Sequence, residues 1–207
     1  MRSRTGGPME MLIVAGFLGS GKTTLVLSAI SRIIERTGKK VVIIVNDFGT
    51  VGIDGKVMEK YGLKVAEMAS GCICCTLGGD LLTTIQDIED NIKPDLIVIE
   101  PTGLADPSAI VDAMQHYPGK PLERIRSAVI IDAARFPSIY KALNRPLTNQ
   151  VKNADLVLIN KIDAVTPDAL SMVEAELRTM NADVPMIAVS ALNDTNIDEA
   201  VDVMVAS

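Results

Sequence analysis

Apolar residues in this chain come in short unbroken runs, and longer stretches with helical spacing separate them. The runs MLIVA (11–15), VVIIVN (41–46), LKVAE (63–67), DLIVIE (95–100), SAVIID (127–132), DLVLIN (155–160) and PMIAVS (185–190) predict seven strands. Strands that are apolar on both faces fit a buried parallel sheet, because helices must cover each side. The intervening stretches predict helices at 22–36, 79–92, 107–116, 136–143, 167–180 and 197–205. Thr166-Pro167 and Asp106-Pro107 each read as an N-cap followed by a first-turn proline. This alternation predicts an α/β fold, doubly wound, with a mostly parallel sheet flanked by helices. Residues 9–207 read as a single domain. Residues 1–8 read as a flexible extension or a cloning remnant, since Met9 would serve equally well as a start.

Composition narrows the functional classes. The chain has 207 residues, 48% of them hydrophobic, which is enough for one sizeable core. Its net charge of −6, with no basic face in sight, argues against nucleic acid as a partner. No run is long enough to span a bilayer and no signal peptide is visible, so a cytoplasmic location is expected.

The loop after the first strand carries the clearest chemistry. GFLGSGKTT fits G-x-x-x-x-G-K-[ST] from Gly16 to Thr23, with a strand before it and a helix after. Backbone N–H groups around Gly19, Ser20, Gly21 and Thr24 would cradle phosphates, helped by the helix N-terminus. Lys22 would neutralise the β and γ phosphates, and the Thr23 hydroxyl would hold Mg²⁺. Downstream, Asn160-Lys161-Ile162-Asp163 ends a strand. The Asp163 carboxylate suits the paired N–H donors of guanine, which adenine lacks. Lys161 would lie over the base, and Asn160 would hold the loop or contact N7. In Ser190-Ala191-Leu192, the Ala191 N–H would reach the guanine oxygen. Glu100, at the tip of DLIVIE, would bind Mg²⁺ through water or position the attacking water, and the Gly103 N–H would meet the γ-phosphate. No arginine finger or catalytic glutamine is evident, and Arg124, Arg126, Arg135 and Arg145 read as surface residues. Slow intrinsic turnover is therefore expected.

All three cysteines, Cys72, Cys74 and Cys75, fall in GCICC after the third strand. Three thiols suit Zn²⁺, Cu(I) or another thiophilic ion, with one tetrahedral position left over. A redox-active C-x-x-C pair and inert core thiols are the rival readings. The metal reading is favoured.

Taken in order, the P-loop, NDFGTVGID, GCICC, EPTG and NKID resemble the CobW family of SIMIBI-class GTPases from about Met11 to about Ser190. The resemblance implies a GTPase, cycling between GTP and GDP with Mg²⁺, that couples nucleotide state to binding and delivery of zinc or cobalt to a metalloprotein client. It assigns Cys72, Cys74 and Cys75 to the CxCC metal motif, and it makes the Asp47 loop a switch whose acid contacts metal or Mg²⁺. Lys22, Glu100 and Asp47 become the expected catalytic set. The family typically carries glutamates where this chain has Asp47 and Thr50. The chain reads as a short form without the family's C-terminal domain, closer in this to the minimal nickel-chaperone GTPases, which often act as homodimers. A regulatory module that gates or reactivates a metal- or corrinoid-dependent enzyme, with the thiols as sensor, is the competing reading.

Overall fold

The computed structural model describes residues 9–45, 64–67 and 79–206, with backbone alone at 64–67, 79 and 80. Among these residues seven strands form one sheet: β1 (Glu10–Ala15), β2 (Val41–Val45), β3 (Lys64–Glu67), β4 (Leu96–Glu100), β5 (Arg124–Asp132), β6 (Leu156–Asn160) and β7 (Met186–Ala188). Their order is β3-β2-β4-β1-β5-β6-β7, and every neighbouring pair is parallel. The sequence expectation of a doubly wound sheet is thus borne out.

The central strands β1, β2, β4 and β6 and the latter part of β5 are buried on both faces, residues two apart serving the same layer. Leu12, Val14, Ile43, Val98, Ile130 and Leu158 pack against α1 (Lys22–Thr37) and the C-terminal helix, Ile197–Val205. The alternate positions Met11, Ile13, Ile44, Ile97 and Ile99 meet α2 (Gly79–Asn91) and α3 (Pro107–Met114). Further along the same face, Val129, Ile131, Val157 and Ile159 meet α4 (Phe136–Lys152) and α5 (Pro167–Met180). The last helix is α6. A run of apolar residues with no alternation is what two covered faces demand.

β1 occupies the middle, with β4 on one side and β5 on the other, so the chain reverses its direction of winding there. Parallel sheets open a crevice at such a reversal, beyond the carboxyl ends of the strands. The loops after β1, β4, β5 and β6 all emerge at that edge.

Several boundaries differ from the sequence expectation, and three of the differences have a physical reason. β5 starts at Arg124 rather than 127, since Arg124 pairs in register with Glu10 and forms an ion pair with it at 3.2 Å. The side chains of Arg124 and Arg126 donate to the Ala206 and Val203 carbonyls, holding the end of α6. α4 runs on to Lys152 instead of ending at 143. Its backbone does leave helical geometry at Leu143 (φ −134°, ψ 38°), ahead of Pro146. Burial of Leu147 and Val151 restores the helix beyond that kink. β7 stops at Ala188 because Ser190 turns to bond Thr195. Asn46, expected to end β2, lies outside the described residues. Among the described residues, no helix is long and apolar enough to cross a membrane.

Candidate nucleotide site

The loop from Gly16 to Gly21 joins β1 to α1 at the crevice. Gly21 has φ +89° and caps α1, and a Cβ there would lie 2.4 Å from the Asn160 amide nitrogen. Only glycine meets both demands, the left-handed backbone and the close approach. The Lys22 side chain is buried and donates to the carbonyls of Gly16 at 2.9 Å and Phe17 at 3.3 Å. Burial pulls its pKa below the usual lysine value, and the Glu100 carboxylate partly opposes this. The Ser20 hydroxyl is buried with no partner among the described residues. An orphaned hydroxyl and a buried ammonium satisfied only by loop carbonyls fit a loop built to receive an anion.

Glu100 extends from the tip of β4 to Thr23 at the start of α1, and both of its oxygens accept from the Thr23 hydroxyl at 2.9 Å. Burial raises its pKa, while the Thr23 bond and the Lys22 charge oppose the rise. It does not cap the helix that follows. That role falls to Asp106, whose carboxylate accepts from Ser108 N at 3.0 Å. A carboxylate and a hydroxyl joined beside a phosphate loop form a donor set suited to a hard cation.

Gly103, in the turn after β4, lies against the phosphate loop. A Cβ on it would come within 2.7 Å of Leu18 N. The leucines beside this contact face solvent, Leu18 at 83% and Leu104 at 62% exposed.

At the other end of the crevice, Asn160 is buried and makes two bonds. Its Nδ2 donates to Ser20 O at 2.8 Å, and its Oδ1 accepts from Ala191 N at 3.0 Å. Of the two roles open to it in the sequence, holding the loop is the one this geometry displays. Lys161 adopts φ +66° and donates to Gly19 O at 2.7 Å. The exposed Asp163 carboxylate accepts from the Ser190 hydroxyl, which in turn accepts from Asn193 N. Leu192 is exposed beside this corner. Asp47, Cys72, Cys74 and Cys75 lie outside the described residues.

Two roles here went unread in the sequence. Asp132 ends β5 with its side chain fully buried, and it accepts from Lys161 at 2.8 Å and Arg135 at 2.6 Å. These two cations hold its pKa below the usual carboxylate value against the effect of burial. The polar tip of an otherwise apolar strand was a usable signal, since Glu100 and Asn160 end β4 and β6 in the same way. Arg135 is exposed, as expected of a surface residue, and its guanidinium also donates to Leu18 O at 2.7 Å, bracing the phosphate loop. Arg124 and Arg126 are likewise anchored, at α6.

Comparisons with known proteins agree with this geometry. Residues 10–188 match the CobW/HypB/UreG nucleotide-binding domain. The zinc chaperone YeiR of Escherichia coli is 34% identical over 158 residues, covering 76% of this chain and 48% of that protein. The Zn(II)-bound YjiA GTPase from E. coli superposes with a TM-score of 0.62 at 27% identity, over 88% of this chain and 58% of that one. Hydrogenase maturation factor HypB from Archaeoglobus fulgidus gives a TM-score of 0.67 at 20% identity, over 94% and 87% of the two chains, a likeness of fold. The chain spans about half the length of the curated relatives it matches. With the family model covering the sheet from β1 to β7 and the phosphate loop in place, the chain belongs to the CobW/HypB/UreG nucleotide-binding domain family.

Proposed function

We propose that this domain hydrolyses GTP with Mg²⁺ and couples the nucleotide state to binding and delivery of zinc at Cys72, Cys74 and Cys75. The observation that carries the nucleotide half is the pair of hydrogen bonds made by the Asn160 side chain. One buried amide ties the phosphate loop at Ser20 to the backbone of Ala191, whose N–H would have to exchange Asn160 Oδ1 for the base oxygen. Phosphate and base readers are thereby held at a fixed separation. Asp163, oriented by Ser190, keeps an exposed carboxylate for the two guanine N–H donors.

In hydrolysis, Lys22 would exchange its carbonyl partners for β and γ phosphate oxygens. Thr23 and Glu100 would hold Mg²⁺, with Asp47 contributing from its loop. When bound, that ion neutralises charge developing on the bridging and terminal oxygens. Thr23 donates its hydroxyl hydrogen bond to Glu100, so the lone pairs of the hydroxyl oxygen stay available to a cation. Gly103 would present its N–H to the γ-phosphate from a turn already against the phosphate loop.

The zinc half is supported by the cysteine run and by relatives named zinc chaperone and Zn(II)-bound GTPase. The chain enters that run from the carboxyl end of β3, two strands from Glu100 along the same sheet edge. A metalloprotein client would receive the ion.

The test measures Zn²⁺ affinity of anaerobically purified protein with GDP and with a non-hydrolysable GTP analogue. A difference of about tenfold or more is expected, and replacing Cys72, Cys74 and Cys75 by serine should abolish binding. Equal affinities in the two nucleotide states would refute the coupling, because a ligand indifferent to two states cannot shift between them.

A further inference from the structure

The inner face of α4 is apolar at Leu147 and Val151, yet position 150 between them is a glutamine at 1% exposure. Burying a primary amide opposes folding unless its groups are bonded. Its Nε2 donates to two backbone carbonyls, Gly103 O at 3.2 Å and Ala105 O at 2.8 Å. Carbonyls only accept, so the amide orientation is fixed with nitrogen toward the turn. Its Oε1 is left buried with no partner among the described residues. A leucine here would fill the face and bury no side-chain oxygen, but it would leave the Gly103 and Ala105 carbonyls without this donor. The glutamine thus leaves its own oxygen unbonded in order to hold two carbonyls of one turn.

What Gln150 holds is the turn after Glu100. That turn closes on itself through Ala105 N to Thr102 O at 2.9 Å. On its far side Gly103 abuts the phosphate loop at Phe17 and Leu18. The turn is thus gripped between a loop backbone and one side chain of a helix. At the start of α4, Arg135 donates to Leu18 O and bonds Asp132, which also takes Lys161. The two halves of α4, on either side of the Leu143 kink, accordingly hold the turn after Glu100 and the phosphate loop.

We infer that Gln150 is a positioning residue for hydrolysis: through its bonds to Gly103 O and Ala105 O it sets the turn so that the Gly103 N–H meets the γ-phosphate. The inference rests on the GTPase reading proposed above. Its effect concerns only the nucleotide that carries a γ-phosphate, so GDP binding is indifferent to it.

The test uses Gln150→Met, which keeps length and volume but has no donor. Expected are a fall in kcat of about tenfold, a similar loss of affinity for a non-hydrolysable GTP analogue and unchanged GDP affinity, together with a lowered Tm because Ala105 O loses its donor. A purely structural role predicts the lowered Tm alone, with kcat and analogue affinity within about twofold of wild type, and that result overturns the inference. Gln150→Glu adds a second readout. Its carboxylate repels both carbonyls, while its protonated form restores one donor, so its activity relative to wild type should rise as pH falls. A flat ratio across pH counts against positioning. A wild-type domain that turns over no GTP would sink the hydrolysis reading alone, and the analogue-to-GDP affinity ratio would still decide on Gln150.

Discussion

The joint between Asn160 and Gly21 invites a double-mutant cycle. Asn160→Ala strands Ser20 O, which is buried, and Ala191 N, which is half-buried and can find water. Losing the two bonds should cost about 3 kcal/mol, most of it at Ser20. Gly21→Ala carries two penalties. The first is left-handed strain at φ +89°, about 1 kcal/mol. The second is the methyl group 2.4 Å from the Asn160 nitrogen, which forces the amide aside at about 2 kcal/mol. When Asn160 is already alanine, the second penalty vanishes and only the strain remains. The double variant should then lose about 4 kcal/mol where independent effects would give about 6 kcal/mol. Urea unfolding followed by far-ultraviolet circular dichroism measures all four corners, since the chain has no tryptophan. Additivity within about 0.5 kcal/mol would refute the reasoning, because it would mean the two residues do not share space.

Glu100→Gln probes the buried carboxylate. A folded pKa above the unfolded 4.5 means that ionisation opposes folding, so stability of the nucleotide-free protein falls as pH rises from about 4.5 through the folded value. The variant should melt higher than wild type above that window, yet lose Mg²⁺-dependent hydrolysis. Tm against pH and phosphate release check the two parts. Asp132→Asn should show the reverse sign. Its lowered pKa gives stability present above 3.8 and lost as pH falls through the folded value, and urea titration at neutral pH should find about 2 kcal/mol missing, since both cations remain partly exposed. Gly103→Ala puts a methyl 2.7 Å from Leu18 N, against backbone that cannot yield. Affinity for a GTP analogue should drop about tenfold in calorimetry with GDP unaffected, the turn being pushed off the phosphate loop.

The sheet could be read from unbroken apolar runs, because a strand covered on both faces leaves that mark whatever its neighbours. The strand order could not, since β1 and β2 are adjacent in sequence but separated by β4 in space. The kinked continuation of α4 was hidden by Pro146, whose local rule ends a helix that packing at Leu147 and Val151 continues. In the site, Lys22, Thr23 and Asn160 stand in spaced motifs and were legible. Asp132, Arg135 and Gln150 have no motif. They act through carbonyls and charges contributed by distant segments, such as Arg135 on Leu18 O and Gln150 on Ala105 O. Such partners exist only once the chain has folded.

The central place of β1 has a consequence for synthesis. Its pairing partners begin at Leu96 and Arg124, whereas β2, made soon after it, is not beside it. A nascent chain that has exposed the phosphate loop and α1 holds a motif without walls. No strand can flank β1 until β4 leaves the ribosome, and its second side stays open until β5 follows. Nucleotide grip therefore arrives late in translation, and once it does, bound nucleotide favours only chains whose sheet is closed on both sides of β1.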